Sequence, residues 1–193
     1  MRRASVLLRV GVPVAILLEL GAFLGSLSGS PVALGEGWGA TREPDVGVWL
    51  LLGAGCLPLL GLSRAPRAAA LLCAGSYVAY ILSGYEFGLT LPPMLVALVL
   101  AAEGRRLSAW SLAGGCLAAT LVWVDGRARG ILDPDVGLLV WVAFGAVSAI
   151  FFLIPPLIGE LLMARRRVRF PEAAPAPEAG LSPSGGRPPR ERG

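Results

Sequence analysis

The sequence predicts an all-α integral membrane protein, a six-helix transmembrane bundle with cytoplasmic N- and C-termini and a disordered proline-rich C-terminal tail. Composition is the first observation behind this fold class. Of the 193 residues, 55% are hydrophobic and only 16% are charged, whereas soluble domains carry about 25% charged residues. Patterning is the second, because the charges stand between long apolar runs, as in transmembrane helices joined by short loops.

Six apolar runs make up the predicted transmembrane domain, residues 1–169. They cover about residues 6–27, 46–62, 68–83, 87–102, 107–124 and 136–163. A spanning helix needs about 17–25 apolar residues, so the third and fourth runs are short. We expect them to span as part of a bundle, which can bury a short helix and thin the bilayer locally.

The first run is expected to remain in the protein as a span. It follows a basic start, as a secretory signal does, but it is long for a signal, carries Glu19 and lacks a clear cleavage site. At the other end, residues 170–193 are rich in Pro and Ala and contain little apolar surface. Such a segment cannot fold on itself, so it is predicted to be a disordered cytoplasmic tail.

The arginines predict the orientation of the bundle. If the N-terminus is cytoplasmic, 14 arginines fall on the cytoplasmic side and three on the outer side. This is the positive-inside distribution of plasma-membrane proteins. The cytoplasmic determinants nearest the helices are Arg2, Arg3, Arg64, Arg67, Arg105, Arg106, Arg165, Arg166 and Arg167.

Composition also excludes several kinds of chemistry. The chain has no histidine and no lysine, so no His ligand, His base or phosphoryl-accepting His exists in it. The cysteines, Cys56, Cys73 and Cys116, all lie in apolar runs, where free thiols behave as small hydrophobic groups. Because the arginines mark helix ends, no nucleic acid partner is expected. We expect no catalytic, cofactor or metal site.

Glu19 is the candidate buried functional carboxylate. It lies inside the first run, where a charged side chain costs at least about 2.5–3.5 kcal/mol to insert. It must therefore face the bundle, a cavity or a partner, or be protonated. The alternatives are a proton- or cation-sensing group and a structural hydrogen bond or ion pair with another helix.

Pro155 and Pro156 are the candidate hinge in the final run. Two prolines remove backbone donors and clash with preceding carbonyls, so a kink is expected near residues 151–153. One interpretation is a hinge that transmits motion to the cytoplasmic end. The other is that the spanning helix ends there and residues 157–169 form an interfacial amphipathic segment.

Residues 1–170 resemble the N-terminal membrane region of actinobacterial two-component sensor histidine kinases. The resemblance rests on an apolar helix ending near a Leu-Pro-Leu, arginine-rich turns, a helix that closes on Gly-Tyr, and a last span that ends in Ile-Gly-Glu before an arginine cluster. These features are Leu57-Pro58-Leu59, Arg64-Ala65-Pro66-Arg67, Gly84-Tyr85, Gly104-Arg105-Arg106 and Ile158-Gly159-Glu160. The resemblance implies a signal-input domain, whose last helix would lead to a kinase core. The sequence contains neither the charged helix that would follow nor any His, so no kinase activity is expected of it.

The sequence thus predicts a non-catalytic, multi-pass protein of the bacterial plasma membrane that acts in signal sensing or partner interaction. Its expected partners are the lipid bilayer and either a separate kinase or a second copy of the chain. The alternative is a small transporter or permease accessory subunit that uses Glu19 as its ion-linked group.

Overall fold

The computed structural model describes residues 11–21, 24, 42, 45–85 and 88–169, and every regular element in these ranges is helical. The all-helical fold class is therefore confirmed. The predicted disordered tail, 170–193, lies outside the described residues, as do Arg2 and Arg3. The helices are α1 (Gly11–Gly21), α2 (Val46–Cys56) with a 3-10 extension (Leu57–Gly61), α3 (Pro66–Leu82), α4 (Leu91–Ala102), α5 (Arg106–Ala128) and α6 (Pro134–Arg169).

Local sequence signals account for several of the helix ends. Asp45 is the N-cap of α2, where its side chain accepts a hydrogen bond from the Val48 N–H at 3.3 Å. Pro66 opens α3 at a position where its missing N–H is not needed. Gly84 and Gly104 follow α3 and α4 with φ of 82° and 83°, a left-handed conformation that suits glycine.

Helix α4 lies at the centre of the bundle. It packs against α2, α3, α5 and α6, and half of its twelve residues are buried. Its length is only about 18 Å.

Two helices are long and apolar enough to cross a membrane. They cover Arg106–Ala128, with a mean hydropathy of 1.6, and Pro134–Arg165, with 2.5. The others are shorter; α2 with its 3-10 extension, and α3, each reach about 26 Å. A helical bundle with two candidate spans is thus confirmed, and the crossing of all six helices stays a prediction.

Helix α6 continues through both of its internal prolines. It is a single helix of 36 residues, and Pro155 and Pro156 lie within it. Neither proline has an N–H to donate, so the carbonyls of Phe151 and Phe152 lack their usual helical partners. The helix does not end at the prolines, and the segment after them extends it to Arg169.

Candidate functional site

Glu19 is buried where α1 meets the start of α4. Its residue surface is only 6% exposed. The backbone N–H groups of Leu89, Thr90 and Leu91 face its carboxylate. The predicted burial is thus observed, and the polar partner of Glu19 is the backbone of another helix.

The backbone at the start of α4 has N–H groups that need an acceptor from another part of the chain. The four leading N–H groups of a helix have no partner within it. In α4, Pro92 and Pro93 have no N–H, and the Met94 N–H donates to the Thr90 carbonyl at 3.3 Å. The Leu91 N–H is therefore left without a partner inside the helix, and Thr90, the N-cap, makes no side-chain capping bond. Leu89 has a φ of 57°, and successive N–H groups around such a left-handed residue form a concave donor site. Glu19 therefore acts as a cap supplied by α1.

A cluster of polar residues occupies the end of the bundle that, by the arginine pattern, is predicted to lie on the outer side of the membrane. We call Arg42, Asp45, Gly84, Tyr85 and Arg127 the outer-end cluster. The Tyr85 hydroxyl donates to Asp45 Oδ1 at 2.6 Å. The Arg42 guanidinium forms an ion pair with Asp45, and its backbone N–H donates to the Gly84 carbonyl at 3.0 Å. Arg127 also donates to that carbonyl, at 3.1 Å.

The outer-end cluster joins three separate parts of the chain. It connects the start of α2, the segment between α3 and α4, and the end of α5. The Tyr85 hydroxyl and then the Arg42 guanidinium hold the pKa of Asp45 below its ordinary value. The bond to Asp45, followed by burial, raises the pKa of Tyr85.

Aromatic rings complete the outer-end cluster. The Arg42 guanidinium lies 5.2 Å from the centre of the Tyr85 ring, and that of Arg127 lies 5.1 Å from the Trp123 ring. Both distances are typical of cation–π contacts. Sequence reasoning did not identify this cluster; an Asp directly before an apolar run was the one available signal, as an N-cap.

The opposite end of the bundle holds α6 against the turn between α4 and α5. Trp110 Nε1 donates to Glu160 Oε1 at 2.9 Å, and Arg106 Nε lies 3.6 Å from the same oxygen. At Gly159, an added Cβ would lie 2.5 Å from the Leu98 carbonyl oxygen and 2.6 Å from Ala101 Cβ. Only glycine permits this approach of α6 to α4.

The predicted cytoplasmic arginines that are described are exposed near this end. They are Arg64, Arg67, Arg105, Arg106 and Arg165. Besides the Arg106–Glu160 pair, Arg105 Nε lies 3.7 Å from Glu103 Oε2. Arg166 and Arg167 lie on the last turn of α6, and nothing is described of their side chains.

Several further buried polar groups form hydrogen bonds within the bundle, whereas the buried Ser148 hydroxyl has no hydrogen-bond partner among the described residues. Tyr77 and Thr120 share a hydrogen bond between α3 and α5, and the Thr120 hydroxyl also donates to the Cys116 carbonyl at 2.9 Å. Cys73 donates to the Gly55 carbonyl at 3.1 Å. Across the residues that the structure describes, no group of three or more His, Cys, Asp or Glu side chains is placed to hold a metal ion.

Comparison with protein-family models, with curated proteins and with solved structures gave no match.

Proposed function

We propose that the chain is a six-span protein of the bacterial plasma membrane, with both termini in the cytoplasm, that transmits a signal through contacts of its helices. It would carry no catalytic activity of its own. Its receiver would be a separate kinase or a second copy of the chain. Two helices are candidate spans by length and hydropathy. We include the four shorter helices as spans because the arginines alternate between the two sides at every connection.

The continuity of α6 is the observation that carries the signalling role. A single helix of 36 residues connects the outer end of the bundle to Arg169. Near Gly159 and Glu160 it is held against α4 and α5. A displacement at the outer end would therefore reach the cytoplasmic end through one element, with Pro155 and Pro156 as the point where its hydrogen-bonding is weakest.

The exposed side of α6 supports a partner of helical form. Only 17% of the most apolar stretch of α6 is buried in the monomer. Leu139, Leu157 and Leu161 are between 47% and 68% exposed, and their spacing places them on one face of the helix. Such a face packs against lipid or against the same face of another copy.

Reporter fusions test the membrane arrangement. Alkaline phosphatase and a fluorescent protein, fused in turn after Gly61, Ser83, Ala102, Ala128 and Arg169, should give alternating signals. We expect fluorescence after Gly61, Ala102 and Arg169, and phosphatase activity after Ser83 and Ala128. Phosphatase activity after Arg169 would contradict the proposal.

Disulfide cross-linking tests whether the receiver is a second copy of the chain. In a chain whose three cysteines are replaced by Ala, single cysteines are introduced along α6 at positions 139, 157, 158 and 161. Under oxidation in membranes, dimers should form at positions 139, 157 and 161 and be much weaker at 158, which faces α1 and α4. Equal cross-linking at all four positions, or none, would argue against a specific α6 dimer and leave a separate kinase as the receiver.

The burial of Glu19 is the one observation that favours the transport alternative. That alternative predicts that Glu19→Gln abolishes ion or solute flux in reconstituted vesicles. The signalling proposal predicts that the unmodified protein carries no flux, because Glu19 faces the backbone N–H groups of residues 89–91.

A further inference from the structure

An apolar groove of about 420 Å³ lies between α1, α4 and α6. Its walls include Val14 and Leu18 from α1, Met94 from α4, and Ile150, Ile154 and Ile158 from α6. Every one of its lining residues is apolar or glycine. Val14, Leu18 and the three isoleucines are between 43% and 58% exposed, so the groove is open along its side.

The groove runs parallel to the helices. On α6 it extends from Ile150 to Ile158, about 12 Å along the axis. On α4 it extends from Leu91 to Leu98 over a similar distance. Its apolar lining, about 12 Å long, suits an extended alkyl chain, and none of the described residues that line it has a polar side chain.

A positive charge follows the groove at its cytoplasmic end. Arg165 is exposed and lies seven residues, two helical turns, after Ile158. Residues seven apart share a helix face, so Arg165 projects from the same side of α6 as the groove wall. It also begins the arginine run 165–167. The nearest acid on α6, Glu160, is bound to Trp110 and Arg106 on the α5 side.

We propose that this groove binds one acyl chain of an anionic phospholipid of the inner leaflet, whose headgroup phosphate pairs with Arg165. The groove supplies the apolar contact, and the arginine supplies the charge at the depth where a headgroup would lie. The inference rests on the proposed membrane orientation of α6. It assigns a ligand class to the groove, whose wall at Ile150 and Ile154 adjoins the α6 face that contains Leu157 and Leu161.

Photolabelling in vesicles tests where the chain of the lipid lies. The full-length protein is reconstituted with phosphatidylglycerol that carries a diazirine in its acyl chain, and labelled peptides are identified by mass spectrometry. We expect labels to concentrate on the α1 and α6 residues that line the groove, with several-fold less on the exposed face of α5. Uniform labelling of all apolar surfaces would overturn the proposal.

Matched variants separate a bound lipid from general solvation by the bilayer. Ala15→Trp fills the groove, since Ala15 lines it, whereas Ala118→Trp adds the same bulk on an exposed position of α5. Ala15→Trp should remove the concentrated labelling, and Ala118→Trp should keep it. Loss in both variants, or retention in both, would contradict a specific groove site.

Charge variants test the headgroup contact. In lipid titrations monitored by native mass spectrometry, phosphatidylglycerol should bind more tightly than phosphatidylcholine. Arg165→Gln should weaken phosphatidylglycerol binding roughly fivefold, equivalent to about 1 kcal/mol, and Arg64→Gln at another cytoplasmic turn should leave it unchanged. Equal binding of the two lipids would overturn the proposed contact between Arg165 and an anionic headgroup. The membrane orientation, which the reporter fusions test, would not be affected by that result.

If α6 of a second copy occupied the groove instead, oxidation of a cysteine at position 158 would produce dimers and the lipid label would be absent there. That result would replace the lipid with a protein partner. A phosphatase-positive fusion after Arg169 would instead remove the membrane orientation on which the lipid site rests. The two failures are therefore distinguishable.

Discussion

At the scale of single residues, Glu19 shows how one side chain completes another helix. Glu19→Ala removes the acceptor that the backbone N–H groups of Leu89, Thr90 and Leu91 face. We expect a loss of about 1–3 kcal/mol in the free energy of unfolding, measured by denaturation in detergent. Glu19→Gln keeps one carbonyl acceptor and should lose less. Equal stability of Glu19→Ala and the unmodified protein would show that the N–H groups find other partners.

Asp45 and Tyr85 predict the pH dependence of the outer-end cluster. The pKa of Asp45 lies below its ordinary value of 3.8, so its contribution to stability is complete above that value and is lost as pH falls through the lowered pKa. The pKa of Tyr85 lies above its ordinary value of 10.0, so its contribution is complete below that value and is lost as pH rises through the raised pKa. Between about pH 5 and 9 the cluster should therefore not titrate.

Tyr85→Phe tests this coupling through thermal unfolding over a range of pH. Removing the hydroxyl brings the Asp45 pKa closer to its ordinary value, since that bond is the largest cause of its lowering. The acid-side loss of Tm should become smaller in the variant, and the difference from the unmodified protein should be constant between pH 5 and 9. A difference that changes across neutral pH would place another titrating group in the cluster.

At the scale of helices, Gly159 controls the distance between α4 and α6. Gly159→Ala places a methyl group 2.5 Å from the Leu98 carbonyl oxygen, so the helices must separate. The expected loss of stability is about 1–3 kcal/mol. Gly114→Ala on α5 is the matched control, because its Cβ meets no heavy atom within 4 Å. That change should stabilise by about 0.4–1 kcal/mol. The same sign for both variants would contradict this packing.

At the scale of the whole molecule, hydrophobic runs were sufficient to predict the order and type of the helices. The predicted run 68–83 nearly coincides with Pro66–Leu82. The fourth run was predicted to begin at residue 87, whereas α4 begins at Leu91. The difference arises because Leu89, in the preceding segment, adopts a left-handed conformation. Hydropathy contains no information on such a turn. It also placed the end of α6 at residue 163, whereas the helix extends to Arg169, since helix formation does not require apolar residues.

The partners of the candidate site could not be predicted, because they depend on tertiary contacts. Burial of Glu19 followed from its position in an apolar run. Its acceptor role did not, since the donors are backbone groups of Leu89–Leu91, some 70 residues away. The same holds for Asp45 and Tyr85, which are 40 residues apart. Side-chain type and periodicity determine which face is buried, and only the packed bundle determines which groups meet.

The unequal helix lengths predict how the whole bundle responds to bilayer thickness. Helix α6 is longer than the hydrocarbon core and can tilt in a thin bilayer at little cost, whereas α2 with its 3-10 extension and α3, at about 26 Å each, cannot lengthen in a thick one. Thermal unfolding in nanodiscs should therefore give a higher Tm in dimyristoyl phosphatidylcholine than in the thicker dierucoyl lipid. Both lipids are compared at temperatures where they are fluid. A higher Tm in the thicker bilayer would mean that α4 and the other short helices do not lie at membrane depth.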